Sequence, residues 1–85
     1  MAIDPLPRLT VYSRRGCHLC EDMIAGLRRL QMRNSLEFET VDIDVDPAVA
    51  RRYGDKVPVL AYGDRELCQY YLEPAVITAF LAELR

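Results

Sequence analysis

Residues 9–20, LTVYSRRGCHLC, decide how this chain folds. In residues 9–13, which are rich in β-forming side chains, Leu9, Val11 and Ser13 alternate with Thr10 and Tyr12. This pattern predicts a strand. The segment 14–16 ends in glycine and breaks this strand, and a Cys-x-x-Cys pair, Cys17 and Cys20, follows at once. The stretch therefore predicts a strand and a turn that lead directly into two closely spaced cysteines.

The residues after the turn have the pattern of an amphipathic helix. Apolar side chains recur at i, i+3, i+4, i+7 and i+10, which places them on one helix face. Acidic residues in the first turn and arginines near the end suit the dipole of a helix that ends at Asn34-Ser35. The members of the apolar face are Cys20, Met23, Ile24, Leu27 and Leu30.

A period-two pattern over residues 36–46 predicts a second strand with one buried face. Asp46-Pro47 then has the signature of an N-cap followed by proline at the first helical position, which predicts a short helix to Tyr53 that Gly54 ends. The apolar residues of the strand are Leu36, Phe38, Val41, Ile43 and Val45, and they alternate in its second half with Asp42, Asp44 and Asp46.

The last third of the chain predicts a hairpin and a helix. Residues 57–62 form a strand, Gly63-Asp64 a two-residue turn, and residues 65–70 return antiparallel. Tyr70-Tyr71 is interpreted as packing at the end of this strand. A final helix starts at Glu73-Pro74, with an apolar stripe of Ile77, Phe80, Leu81 and Leu84.

The order β-α-β-α-β-β-α predicts an α/β fold with a four-stranded mixed sheet flanked by helices. The chain has 85 residues, 51% hydrophobic and 28% charged, which is typical of one globular domain over residues 1–85. A net charge of −2 argues against a general nucleic-acid binder. No apolar run approaches the ~18–20 residues that cross a membrane, and residues 1–7 lack a secretory pattern. We therefore expect a cytoplasmic monomer without nucleic-acid or membrane partners.

The two cysteines at the predicted helix start have a physical reason to be reactive. A Cys17–Cys20 bond closes a loop of only four residues, worth about 2 kcal/mol, so stability is a poor reason for it. The unpaired N–H groups and the dipole at a helix N-terminus stabilise a thiolate. Cys17 is therefore the predicted attacking thiol, and Cys20, one turn further on, is the predicted resolving thiol.

The neighbours of the pair leave alternatives open. His18, when protonated, and Arg15 are predicted to modulate the pKa of Cys17, although each also fits a solvated surface side chain. Cys68 fits either a small buried hydrophobe on the fourth strand or a thiol that exchanges with the pair. Zinc bound by these three cysteines and His18 is a further alternative, for which the helix start would have to bend.

The chain resembles a glutaredoxin-like member of the thioredoxin superfamily from residue 9 to residue 84. The resemblance depends on YSRRGCHLC at 12–20, on KVPV at 56–59 and on the order of the elements. The CHLCE sequence at 17–21 is similar to small bacterial glutaredoxin-like domains rather than to Cys-Pro-Tyr-Cys glutaredoxins. The resemblance implies a thioredoxin-like fold and thiol–disulfide oxidoreductase activity.

The resemblance also implies roles for Val57 and Pro58. In that superfamily the residue at Pro58 is a cis-proline beside the cysteines, and Val57 would pair its backbone with an extended substrate. Glutaredoxins that use glutathione hold it with a Gly-Gly pair and an acidic residue, which residues 67–72, LCQYYL, lack. No cofactor is therefore expected, and glutathione stays a candidate reductant without its usual binding motif.

The expected substrate is a disulfide-containing protein or a small thiol. Two other functions fit the same sequence: a redox-inactive protein-binding module on the same fold, and, less favoured, a metal-binding protein.

Overall fold

The strand, turn and helix around the two cysteines form where the sequence predicts them. The structure, a computed structural model, describes residues 6–84. Its strands are β1 (Arg8–Ser13), β2 (Glu37–Asp42), β3 (Val59–Tyr62) and β4 (Arg65–Gln69). Its helices are α1 (His18–Gln31), α2 (Pro47–Tyr53) and α3 (Pro74–Glu83), with a short 3₁₀ helix (Ile43–Val45) before α2.

The four strands form one mixed sheet in the order β2-β1-β3-β4. β1 runs parallel to β2 and antiparallel to β3, and β3 and β4 form an antiparallel hairpin. Gly63 in the hairpin turn has φ +58°, a conformation that glycine adopts without steric cost. The predicted fold, with its four-stranded mixed sheet, is therefore confirmed.

Two separate apolar clusters hold the helices against the sheet. Successive side chains of a strand point to opposite faces, so Val11 joins one cluster while Tyr12 packs against the other. The smaller cluster consists of Ile43, Tyr53 and Val59 and holds α2 and the 3₁₀ helix. The larger cluster holds α1 and α3 and consists of Leu9, Val11, Met23, Leu27, Leu36, Leu60, Cys68, Ile77, Phe80 and Leu81.

The second strand ends earlier than its apolar pattern predicts. β2 stops at Asp42, whose carboxylate accepts a hydrogen bond from the Asp44 amide at 2.9 Å and starts the 3₁₀ helix. Ile43 is buried, but Val45 is 75% exposed, so the prediction of a strand that continues to Val45 is wrong. The physical reason is that an aspartate side chain offers the backbone N–H a local partner that competes with the sheet.

The two later helices begin as predicted. The Asp46 side chain accepts a hydrogen bond from the Ala48 amide at 2.9 Å, and Pro47 is the first residue of α2. Proline is also the first residue of α3, but Leu84 lies just past the end of that helix and is 46% exposed. The prediction that Leu84 belongs to the apolar stripe of this helix is therefore wrong, because the helix ends at Glu83. Within residues 6–84, none of the helices has the length and hydrophobicity needed to cross a membrane.

Candidate active site

The Cys-x-x-Cys pair lies at the start of α1, immediately after β1. Gly16, with φ +70°, occupies the turn between the two elements. Cys17 is the N-cap of α1 and has an extended backbone, and Cys20 lies in the first helical turn. The two cysteines are joined as a disulfide, with Cα atoms 5.2 Å apart. The entry into the helix therefore brings both sulfurs together.

The two cysteines differ in exposure and in their contacts. Cys17 is partly exposed, whereas Cys20 is only 2% exposed. The Cys20 amide donates a hydrogen bond to Cys17 Sγ at 3.1 Å. Because amides in the first turn of a helix have no carbonyl partner within that helix, this N–H is free to stabilise negative charge on the Cys17 sulfur. Cys17 is thus both the more exposed cysteine of the pair and the one whose sulfur accepts a hydrogen bond.

The two residues predicted to tune Cys17 both lie at the surface. The His18 side chain is 87% exposed, with Nδ1 3.9 Å from a carboxylate oxygen of Glu21. Arg15 is exposed as well. Their predicted influence on the pKa of Cys17 stays a prediction.

Arg14 has a partner that the sequence analysis did not anticipate. Its guanidinium donates two hydrogen bonds to the Asp44 carboxylate, at 3.0 and 3.1 Å, and this carboxylate raises the pKa of Arg14. Asp44 lies in the 3₁₀ helix that replaces the end of the predicted strand. The pair therefore connects the turn before Cys17 to the segment after β2.

Val57 and Pro58 lie at the same edge of the sheet as the cysteines. β1 and β3 run antiparallel, with Tyr12 opposite Val59, so the start of β3 lies beside the end of β1. The Val57–Pro58 bond is cis, as the resemblance implies, and Pro58 is fully buried. Val57 is partly exposed. The predicted binding of a substrate by these two residues stays a prediction.

Tyr70 is a residue of this region that the sequence analysis missed. It has φ +67° and is the one non-glycine residue at positive φ within residues 6–84. A left-handed backbone costs such a residue about 1–2 kcal/mol. Its hydroxyl donates a hydrogen bond to the Asp55 carbonyl at 2.7 Å, and its amide donates one to the Pro58 carbonyl at 2.8 Å. Nothing in the Tyr70-Tyr71 pair itself indicates this link to the segment before β3.

A groove of about 340 Å³ runs along α1, from Leu19 in its first turn to Leu30 in its last. Leu19, which lies between the two cysteines, and Met23 line it from the helix. Tyr70, Tyr71 and Leu72 line it from the connection between β4 and α3. Apolar and aromatic side chains therefore line a groove that begins at the residue between the two cysteines.

Cys68 is a buried thiol in the larger apolar cluster. It lies opposite Leu60 in the β3–β4 ladder and is 3% exposed, in agreement with its interpretation as a small hydrophobe. Burial raises the pKa of this thiol, which keeps it neutral. In the part of the chain that the structure describes, no three His, Cys, Asp or Glu side chains converge as metal ligands. The four residues considered for zinc are thus not brought together.

The chain matches one family in a comparison of sequence profiles. The profile of the glutaredoxin-like domain (DUF836) matches residues 8–82. A search of curated proteins finds no match.

Solved structures of bacterial proteins are similar to this chain over nearly its whole length. Protein Ne2328 from Nitrosomonas europaea, solved by NMR, shares 46% identity and a TM-score of 0.79 over 94% of this chain and 95% of that one. Protein XcR50 from X. campestris, solved by X-ray, shares 33% identity and a TM-score of 0.68 over 88% and 96% of the two chains. A malarial protein with 16% identity and a TM-score of 0.60, over 89% and 93% of the two chains, shares the fold alone.

Proposed function

Because this chain belongs to the glutaredoxin-like domain (DUF836) family, we propose that it is a thiol–disulfide oxidoreductase whose redox pair is Cys17 and Cys20. The observation that supports this most is the contrast between two cysteines at disulfide distance, one accessible at the helix start and the other buried. An attacking thiol must be reached by its substrate, whereas a resolving thiol needs to reach only its partner.

The reductive reaction starts from two thiols. Cys17 loses its proton and attacks one sulfur of the substrate disulfide, so that a mixed disulfide forms, the substrate S–S bond breaks and the other substrate sulfur leaves as a thiolate. Cys20 then loses its proton and attacks Cys17 Sγ, which forms the Cys17–Cys20 disulfide and releases the second substrate thiolate. The substrate gains two electrons and two protons, which the protein loses. A reducing thiol restores the pair by the same steps in reverse.

The start of α1 favours the first step. The Cys20 amide hydrogen bond and the helix N-terminus both stabilise a thiolate at Cys17. Lowering a thiol pKa from ~8.5 to ~7 raises its thiolate fraction at pH 7 from about 3% to about 50%. The intrinsic nucleophilicity of the thiolate falls as its pKa falls, so a pKa near ambient pH gives the fastest attack.

The substrate that we propose is a disulfide in a peptide or protein chain. Val57 lies partly exposed at the sheet edge that also carries the cysteines, and Leu19, between the two cysteines in sequence, lines a groove along α1. Residues 67–72 lack the glycine pair and the acidic residue with which glutaredoxins hold glutathione, so glutathione is not the proposed substrate.

Stoichiometric mixing tests this function. Reduced protein is mixed with one equivalent of a peptide that contains an intramolecular disulfide, and the thiols of both are alkylated and counted by mass. We expect the protein to lose two thiols, at Cys17 and Cys20, the peptide to gain two, and Cys68 to remain a thiol. If the protein keeps all three thiols under conditions in which dithiothreitol reduces the same peptide, the proposal is wrong.

A further inference from the structure

The segment of residues 55–58, which joins α2 to β3, is held at both ends by one residue of the connection between β4 and α3. We propose that this residue, Tyr70, is a positioning residue that fixes the backbone of Val57 for pairing with an extended substrate. The inference rests on the proposed function and adds to it a residue that determines how a peptide disulfide is held.

The two hydrogen bonds of Tyr70 enclose Val57. The hydroxyl binds the Asp55 carbonyl at 2.7 Å, two residues before Val57, and the amide binds the Pro58 carbonyl at 2.8 Å, one residue after it. Among the hydrogen bonds within residues 6–84, Val57 itself neither donates nor accepts one. A backbone amide and carbonyl that are unpaired and held in place can form an antiparallel pair with a peptide.

The conformation of Tyr70 indicates that this link has a purpose other than packing. Its backbone is left-handed, a region that glycine enters without strain. Glycine at this position would still donate its amide hydrogen bond to the Pro58 carbonyl, but it would lack the hydroxyl that reaches the Asp55 carbonyl. Strained residues of this kind occur preferentially at functional sites, where the surrounding structure holds them.

Other contacts hold the segment without pairing the Val57 backbone. The Val57 side chain packs against the smaller apolar cluster, but within residues 6–84 its amide and carbonyl stay free. The Lys56 amide donates a hydrogen bond to the Tyr53 carbonyl at 2.9 Å, which continues the end of α2. The Lys56 ammonium lies 3.7 Å from Glu66 on β4, but both side chains reach solvent, so this pair holds the segment weakly. The Tyr70 hydroxyl therefore donates the side-chain hydrogen bond that holds the backbone on the N-terminal side of Val57.

Tyr70→Phe tests the inference, because it removes the hydroxyl and keeps the ring. Reduced protein is oxidised in single turnover by two disulfides: an extended peptide disulfide and bis(2-hydroxyethyl) disulfide, which has no peptide backbone. We expect the half-saturating concentration of the peptide to rise about two- to twelvefold, the range for one lost hydrogen bond, with the maximal rate within about twofold of wild type. The rate with the small disulfide stays unchanged.

A matched control and a second measurement make the result decisive. Tyr62→Phe removes a hydroxyl from a tyrosine at the other end of β3, and it leaves both substrates unaffected. Hydrogen exchange of the Lys56 amide, which is hydrogen-bonded to the Tyr53 carbonyl, is faster in Tyr70→Phe than in wild type and in the control.

Equal losses with the two disulfides, an unchanged half-saturating concentration for the peptide, or unchanged exchange of the Lys56 amide would each overturn the positioning role. Wild-type protein that reacts with neither disulfide would instead refute the proposed function, and the positioning role with it.

Discussion

Cys17→Ser lowers the rate of disulfide exchange by at least about a thousandfold, because a serine hydroxyl is a far weaker nucleophile than a cysteine thiolate near neutral pH. The remaining thiols do not replace it. Cys20 is 2% exposed, and Cys68 is 3% exposed with its pKa raised by burial. The rate is measured with reduced protein and excess peptide disulfide, with the appearance of free peptide thiol as the signal.

Cys20→Ser gives the complementary result. The first attack still occurs, but the mixed disulfide between Cys17 and the peptide is not resolved, so it accumulates and is seen by mass as a covalent adduct. Cys68→Ala is the matched control: it removes the third cysteine and leaves the exchange and its products as in wild type. Exchange by Cys17→Ser at the wild-type rate would contradict the assignment of the attacking thiol.

Leu60→Ala is expected to have the largest effect on stability. Leu60 is fully buried at the centre of the sheet, where it lies opposite Val11 on β1 and Cys68 on β4. Truncation of such a leucine removes apolar contacts and leaves a cavity, which together cost about 2–5 kcal/mol. For a domain of this size the melting temperature falls by about 10–30 °C, as measured by circular dichroism.

Leu84→Ala provides the control for this substitution. Leu84 is 46% exposed beyond the end of α3, so its truncation changes the free energy of unfolding by less than about 0.5 kcal/mol. Equal losses from the two substitutions would mean that the core does not lie where the structure places it.

Most of the fold could be predicted from the sequence because turn and capping residues agree with the periodic apolar pattern in most elements. The strand, the glycine turn and the apolar face that begins at Cys20 all support one βα unit, and β1 and α1 form as expected. Asp46 and Pro47 start α2 through a hydrogen bond between residues two apart in sequence, which is a purely local signal. These elements could be predicted because they depend on residues close together in the chain or on a sustained period.

The features that could not be predicted depend on competition or on contacts between distant segments. The sequence pattern around Asp42 fits a strand that continues past this residue as well as a strand that ends at it. The strand ends there because the Asp42 carboxylate accepts a hydrogen bond from the Asp44 amide. The hydroxyl of Tyr70 reaches a carbonyl fifteen residues earlier in the chain, and no spacing rule relates the two. Of the site itself, the cysteine pair follows from its motif, and the cis-proline follows from the resemblance alone.

The measurement that tests the central claim most directly is the redox equilibrium of the Cys17–Cys20 pair. Protein is equilibrated in thiol–disulfide buffers over a range of potentials, and its alkylated thiols are counted by mass. We predict that two thiols are lost together in one transition at about −200 to −270 mV, the range of glutaredoxins and thioredoxin, while Cys68 remains a thiol throughout. Three thiols at every potential would contradict the claim that this protein works by dithiol–disulfide exchange.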